Sequence, residues 1–199
     1  MTQPVNPKIY LASRSPRRAK LLQQIGVNFA VLPSDIDESV LPNEQPQAYV
    51  LRLAHAKAQA CQHYLQASAL PQLPILAADT TVSLDGQILG KPETVEEARS
   101  MLSQMSGRWH EVHTGLALAT EHGITTALSS TRVEMAELSE AEISAYIASG
   151  EPFDKAGAYG IQGLAGVFIR RIEGSYSGVM GLPIYETAAL LKQAGIQVL

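Results

Sequence analysis

Cys61 is the only cysteine among the 199 residues. One thiol excludes an intrachain disulfide and a zinc site built from four cysteines, and it fits a reducing compartment. No apolar run approaches the ~20 residues of a membrane-spanning helix. The stretch Ile9 to Ala12 is too short for the core of a secretion signal, so the reading is a cytoplasmic protein without membrane attachment. Positive charge is also scarce. Lys and Arg total 15 against 19 Asp and Glu, leaving a formal charge of −4, with a sequence pI near 5.7. General nucleic-acid or anionic-membrane binders carry the opposite imbalance. With seven Tyr, three Phe and one Trp there is no evident stacking platform for single strands. Repeats, low-complexity segments and long linkers are missing, which leaves one domain over residues 1–199. At 46% hydrophobic residues, wholesale disorder is excluded. Any polyanion bound here must be small and met by local positive charge.

What is present alternates short apolar runs with amphipathic stretches, the habit of α/β proteins. KIYLAS reads as a strand. Ser15 then caps a helix with Pro16 at its first position, an apolar stripe of Leu21, Leu22 and Ile25, and Gly26 at its end. FAVLPS is a second strand, followed by the acidic turn Asp35-Ile36-Asp37-Glu38. Residues 46–66 form a long helix with Val50, Leu53, Ala54, Ala60, Cys61 and Tyr64 near one face. PILAADTTVSLDGQILG gives two strands around the hairpin turn Asp85-Gly86. Thr94-x-x-Glu97 and Ser139-x-x-Glu142 are capping boxes, each opening a helix. Between them lie two long strands, 109–120 and 124–137, joined near His122-Gly123. Residues 166–172 alternate as another strand, and 183–194 form the last helix. The glycine-rich stretch 150–166 reads as loops able to line a site. The expected fold is α/β: a mixed, curved sheet flanked by helices, in two lobes around a groove.

Chemistry concentrates at a few places. Ser13-Arg14-Ser15-Pro16-Arg17-Arg18 leaves a strand and enters a helix, where free backbone N–H groups and the helix dipole favour an anion. Its hydroxyls and guanidinium groups suit phosphate oxygens; the bland alternative is a capped helix with surface arginines. Lys57 stands among alanines on the long helix, its alternative being a snorkelling surface lysine. Lys91 lies in a short connection, where a solvated loop lysine is the alternative. Asp79 interrupts an otherwise buried strand, beside the small Ala77 and Ala78. A buried carboxylate costs several kcal/mol unless paired or metal-bound, so Asp79 is the sharpest candidate, set against an aspartate turned to solvent at a strand end. Glu38 offers a second carboxylate to the same magnesium ion or water.

Other patterns fail. Gly86-x-x-x-Gly90-Lys91-Pro92 is one residue short of a P-loop and has proline where Ser or Thr would meet magnesium. His110-Glu111-Val112-His113 on a strand puts its histidines on opposite faces. Gly174-Ser175-Tyr176-Ser177-Gly178 lacks the spacing of a hydrolase nucleophile elbow. Gly160-Ile161-Gln162-Gly163 follows no clear strand and is weak as a dinucleotide loop.

LASRSPRRAKLL, DIDE, RLAHAKA, AADTTV, LGKPETVEEA, HTGLAL and DKAGAYGIQGLAG follow one another from about Ile9 to Tyr185. In that order and spacing they resemble the Maf-like proteins, nucleoside triphosphate pyrophosphatases, and AYGIQG is similar to the branch acting on dTTP and UTP. The resemblance implies a Maf/Ham1-type fold with a deep groove between two lobes, often as a homodimer. It maps the catalytic base onto Asp79 and phosphate-binding and support roles onto Ser13, Ser15, Arg17, Arg18, Glu38, Lys57 and Lys91. Arg17, Thr80 and Gln162 fall on specificity positions, and Arg14 on a position where the family varies. The implied cofactor is a divalent cation, Mg²⁺ with Mn²⁺ as the alternative, at Glu38 and Asp79. The reaction so implied is attack of water on the α-phosphorus of dTTP, UTP or a modified pyrimidine nucleotide, releasing monophosphate and pyrophosphate. Against it stand a nucleotide sensor without turnover, acting in growth or septum control, and a nucleotide-transfer enzyme with another acceptor.

Overall fold

The computed structural model describes residues 7–198. Strand β1 (Ile9–Leu11) is wholly buried and leads into helix α1 (Pro16–Gln24). Ser15 caps that helix, its hydroxyl accepting from the Arg18 backbone N–H, and Leu21, Leu22 and Ile25 are buried as the spacing requires. β2 (Phe29–Val31) follows, then the long helix α2 (Pro46–Gln66). Its buried face carries Val50, Leu53, Ala54, Lys57, Ala58, Cys61 and Leu65. Ala60 and Tyr64 are not on it; Tyr64 is 57% exposed. The buried positions follow the i, i+4 rows 50–54–58 and 53–57–61–65, which slant around the helix, so a straight stripe overestimates the inner face near its C-terminus.

Strands β3 (Ile75–Leu84) and β4 (Gln87–Leu89) form the expected hairpin. Asp85 and Gly86 both take positive φ, 52° and 79°, the conformation that matches strand twist in a two-residue turn. Helix α3 (Val95–Met105) is capped by Thr94, but Glu97 reaches back to the Glu93 N–H instead of the cap residue, so this box is half formed. The box at Ser139, opening α4 (Glu140–Ala148), is complete. β5 (Trp109–Thr120) and β6 (Gly123–Met135) make the central long hairpin; the second strand ends at Met135, short of the expected residue 137. Residues 151–168 contain three 3₁₀ turns. The seventh strand, β7, spans Ile169–Glu173, because residues 166–168, where alternation suggested strand, belong to the last of those turns. A short helix α5 (Tyr176–Val179), capped by Ser175, precedes α6 (Ile184–Gln193).

The mixed sheet has seven strands in the order β2-β1-β3-β5-β6-β7, with β4 added to β3. β1 runs parallel to β2 and β3, and all other pairs are antiparallel. β3, β5 and β6 pass through two packed regions. In the first, α2 covers one face, with Ala54, Ala58 and Leu65 against Ala77 and Ala117. Leu22 of α1 and Leu191 of α6 pack with Leu76 and Leu116 on the other. In the second, Val82, Val112 and Val133 pack against α3, α4 and the 3₁₀ turns. The register explains the groove between them. On one edge β3 pairs with β1 at residues 75–76 and with β4 at 82–84, so residues 77–81 have no strand partner on that edge. Asp79 lies at the middle of the gap.

Candidate active site

Strand alternation turns Asp79 and Thr80 to opposite faces. Asp79 faces α2, and the reason it meets a helix there is Gly115, its partner across the β3–β5 ladder. A Cβ on Gly115 would lie 2.5 Å from the Val50 carbonyl oxygen. Only glycine lets the α2 backbone settle this closely, and two turns further along α2 comes Lys57. The Lys57 Nζ is 2.6 Å from Asp79 Oδ1 and 2.6 Å from Glu38 Oε1. Lys57 is buried, not a snorkelling surface lysine, and Asp79 is 7% exposed. Burial raises the Asp79 pKa above its ordinary value, with Lys57 and Arg18 opposing that rise. Glu38 sits on a loop held by α2: the Tyr49 hydroxyl donates to the Glu38 carbonyl at 2.9 Å, while Arg52 bonds both oxygens of Glu44 and the Ser39 carbonyl.

On the other face, Thr80 is bound into a relay. Its oxygen accepts from Arg18 Nη2 at 3.1 Å, and it lies 2.9 Å from Thr114 Oγ1, whose own proton goes to the Gly178 carbonyl. Arg18 also donates through Nε to the Gly181 carbonyl at 2.7 Å and through Nη1 to Ser13 Oγ at 3.2 Å. Three of its five N–H groups are thus used on the scaffold, leaving two for a ligand. Ser13 Oγ receives the Ser15 N–H as well. Arg14 points elsewhere, to an exposed pair with Asp35. Arg17 reaches across the groove to Asp154 at 3.1 Å. Helix α1 therefore carries two arginines and no acid in its first turn, the wrong sign for its dipole unless an anion joins them.

These groups share one groove of about 490 Å³, lined among others by Ser15, Arg17, Arg18, Glu38, Lys57, Asp79, Thr80, Lys91 and Gln162. An adjoining recess of about 360 Å³ adds Ser13. Every candidate residue read from the sequence is thus brought to the same place. Lys91 is exposed and Gln162 sits on the exposed tip of the 160–163 loop. Sequence reasoning missed Tyr49, Asp154 and Lys155, which also line the groove, and Gly115, for which a glycine inside a strand was an available signal. The rejected histidine pair is split as expected. His110 bonds Tyr159 at 2.7 Å and is drawn by burial to about pKa 4, whereas His113 bonds Ser83 and Ser130 on the opposite face.

No group of three or more His, Cys, Asp or Glu forms a metal cage among the described residues. Glu38 and Asp79 nevertheless suit a hard cation shared with a ligand. Each gives one oxygen to Lys57 and keeps the other, and Mg²⁺ is usually held by one or two carboxylates plus phosphate oxygens. No described helix is long and apolar enough to cross a membrane.

A groove that gathers arginines and lysines around one buried carboxylate, in an α/β protein, suits a compact polyanion. The chain belongs to the Maf-like protein family, whose pattern it matches over residues 8–194. It is 63% identical over 191 residues to the dTTP/UTP pyrophosphatase of Methylobacillus flagellatus, covering 96% of this chain and 94% of that one. It is 54% identical to the dTTP/UTP pyrophosphatase of Chromobacterium violaceum, covering 96% of each. To the nucleoside triphosphate pyrophosphatase of Haemophilus ducreyi it is 50% identical, with 98% and 99% covered. Among solved structures, the Staphylococcus aureus Ham1 protein overlaps 65% of this chain and 72% of its own, at a TM-score of 0.46 and 14% identity.

Proposed function

We propose that this chain hydrolyses dTTP and UTP to the nucleoside monophosphate and pyrophosphate. The observation that carries the reading is Asp79, buried at the open edge of β3 and joined through Lys57 to Glu38, in one groove with Arg17, Arg18 and Lys91. Lys57 engages Oδ1 and so orients the carboxylate, and of the two lone pairs on Oδ2 one would accept a proton from water while the other stays free for a cation. That water attacks the α-phosphorus, the bond from phosphorus to the oxygen bridging to the β-phosphorus breaks, and pyrophosphate departs with the electron pair. Arg17, Arg18 and Lys91, with the hydroxyls of Ser13 and Ser15, hold the phosphates and offset charge as it moves to the leaving group. A divalent cation bound through Glu38 and Asp79 would add charge neutralisation on the phosphate oxygens. Base choice falls to Gln162, Arg17 and Thr80. Gln162 presents an amide donor and acceptor, and the uracil and thymine edge has one N–H between two carbonyls.

A sensor without turnover gains nothing from a carboxylate beside phosphates, because like charge weakens binding. The test is incubation with a panel of nucleoside triphosphates and Mg²⁺, with products separated by anion exchange. Monophosphate with pyrophosphate, fastest from dTTP and UTP, is expected. Diphosphate with orthophosphate, or no product, would reject the reading.

A further inference from the structure

The loop carrying Gln162 is exposed at Gln162, Gly163 and Leu164, between the buried Ile161 and Ala165, and its own backbone closes a turn from the Gly163 N–H to the Gly160 carbonyl. Both ends of that turn are also held by a pair of residues outside the groove. The Glu151 carboxylate accepts the Leu164 N–H on Oε2 at 2.9 Å and the Ala165 N–H on Oε1 at 3.4 Å. The Tyr146 hydroxyl donates to the same Oε1 at 2.9 Å and accepts the Gly160 N–H at 3.3 Å. One carboxylate and one phenol therefore clasp the backbone two residues before Gln162 and two residues after it. Tyr146 is 4% exposed and is fixed in turn by an edge-on contact with Phe168, ring centroids 5.6 Å apart.

The chain keeps space for this clasp. A Cβ on Gly163 would lie 2.4 Å from both Glu151 carboxylate oxygens, although the φ of −105° at Gly163 is one any residue adopts. Glycine at 163 is explained by the carboxylate it must admit, not by backbone conformation. Leu164, Tyr146 and Ala165 donation, with the Lys155 charge, outweighs the effect of burial and keeps Glu151 below its ordinary pKa, so the clasp is charged at neutral pH.

We infer that Glu151 and Tyr146 are positioning residues for nucleobase selection: they set the curvature of residues 160–165 and so aim Gln162 into the groove. The inference rests on the reading of Gln162 as the residue that meets the base. Neither residue lines the groove, and neither bonds to Arg18, Lys57 or Lys91. A loosened clasp should therefore relax the choice of base while leaving phosphate binding intact.

The experiment compares catalytic efficiency on UTP and CTP for the wild type, Tyr146→Phe, Gly163→Ala and Gln162→Ala, with inhibition by inorganic pyrophosphate measured in parallel and melting curves as fold control. Tyr146→Phe keeps the ring and its contact with Phe168 but removes the link to Gly160. Gly163→Ala places a methyl where the carboxylate sits. Both should lower the UTP:CTP ratio roughly ten- to a hundred-fold, the scale of an ångström-sized misplacement, with pyrophosphate inhibition unchanged. A ratio unchanged in both variants while Gln162→Ala collapses it overturns the clasp and spares the reading of Gln162. An equal loss on both nucleotides also overturns it. A wild-type ratio near one overturns both.

Discussion

Burial pushes the Asp79 pKa up, and two cations, Lys57 in contact and Arg18 nearby, oppose that rise. Asp79→Asn preserves shape but removes the proton acceptor, and acid–base assistance is worth ~10²–10⁴-fold. The folded variant should therefore retain at most about a hundredth of the wild-type rate; retention of more than about a tenth would remove Asp79 as the base. The pH profile is a sharper probe. With Asp79 as the proposed base, turnover needs its carboxylate form, so the acid limb should rise through a midpoint above the ordinary carboxylate value, because burial raises the Asp79 pKa. Lys57 lowers that pKa, so Lys57→Gln should move the limb to still higher pH as well as slow the reaction. A rate–pH series on both proteins decides it, and a limb that stays in place separates Lys57 from the titrating group. For stability the sign is the reverse of the usual carboxylate. A raised folded-state pKa means that the contribution of Asp79 is fully present below its unfolded value and is lost as pH rises through the folded one.

At the scale of elements, the site depends on how closely α2 lies on the sheet. The contact is backbone to backbone at Gly115 and Val50, where no side chain can give way. Gly115→Ala should force α2 outward, costing about 1–3 kcal/mol by overpacking, and should carry Lys57 away from Asp79. Urea unfolding measures the first effect and the rate on UTP the second. A variant with unchanged stability would show that α2 has slack at this point. Caps matter less to the chemistry. Ser139 and Glu142 close α4 completely and Thr94 closes α3 by half, yet both helices pack in the second region, away from the carboxylate.

Across the whole molecule, the groove joins Lys91 and the α1 arginines to the 151–168 segment, which brings Asp154, Lys155 and Gln162. Lys91→Ala should lower efficiency on every nucleotide alike, by roughly ten- to a hundred-fold for one charge-assisted phosphate contact. Arg18 is a poorer probe of the same idea, since its removal also breaks bonds to Ser13, Thr80 and Gly181. Gln162→Glu should instead erode the preference for dTTP and UTP over CTP, because an unpaired polar group discriminates by as much as ~10⁴. Steady-state kinetics on dTTP, UTP, CTP, ATP and GTP separates the two patterns. A uniform loss in Gln162→Glu would place that residue at the phosphates.

Residue order alone determined the elements that depend on near neighbours. Pro16 after Ser15, the Asp85-Gly86 turn, the Ser139 box and the β5 strand depend on a few residues each, and each appears where it was read. The same locality explains the failures: residues 166–168 alternate like a strand but belong to a 3₁₀ turn that opens at Leu164, where Glu151 takes the Leu164 and Ala165 N–H groups. The candidate site residues were legible as chemistry, a buried carboxylate and a basic helix start, and through the order of their motifs. Their arrangement was not. Lys57 reaches Asp79 across 22 positions, Arg18 reaches Gly181 across 163 and Arg17 reaches Asp154 across 137. Those meetings exist only because β1 and β4 pair with separate ends of one β3 edge, and because Gly115 admits α2. Both are consequences of chain closure and packing, which no local preference encodes.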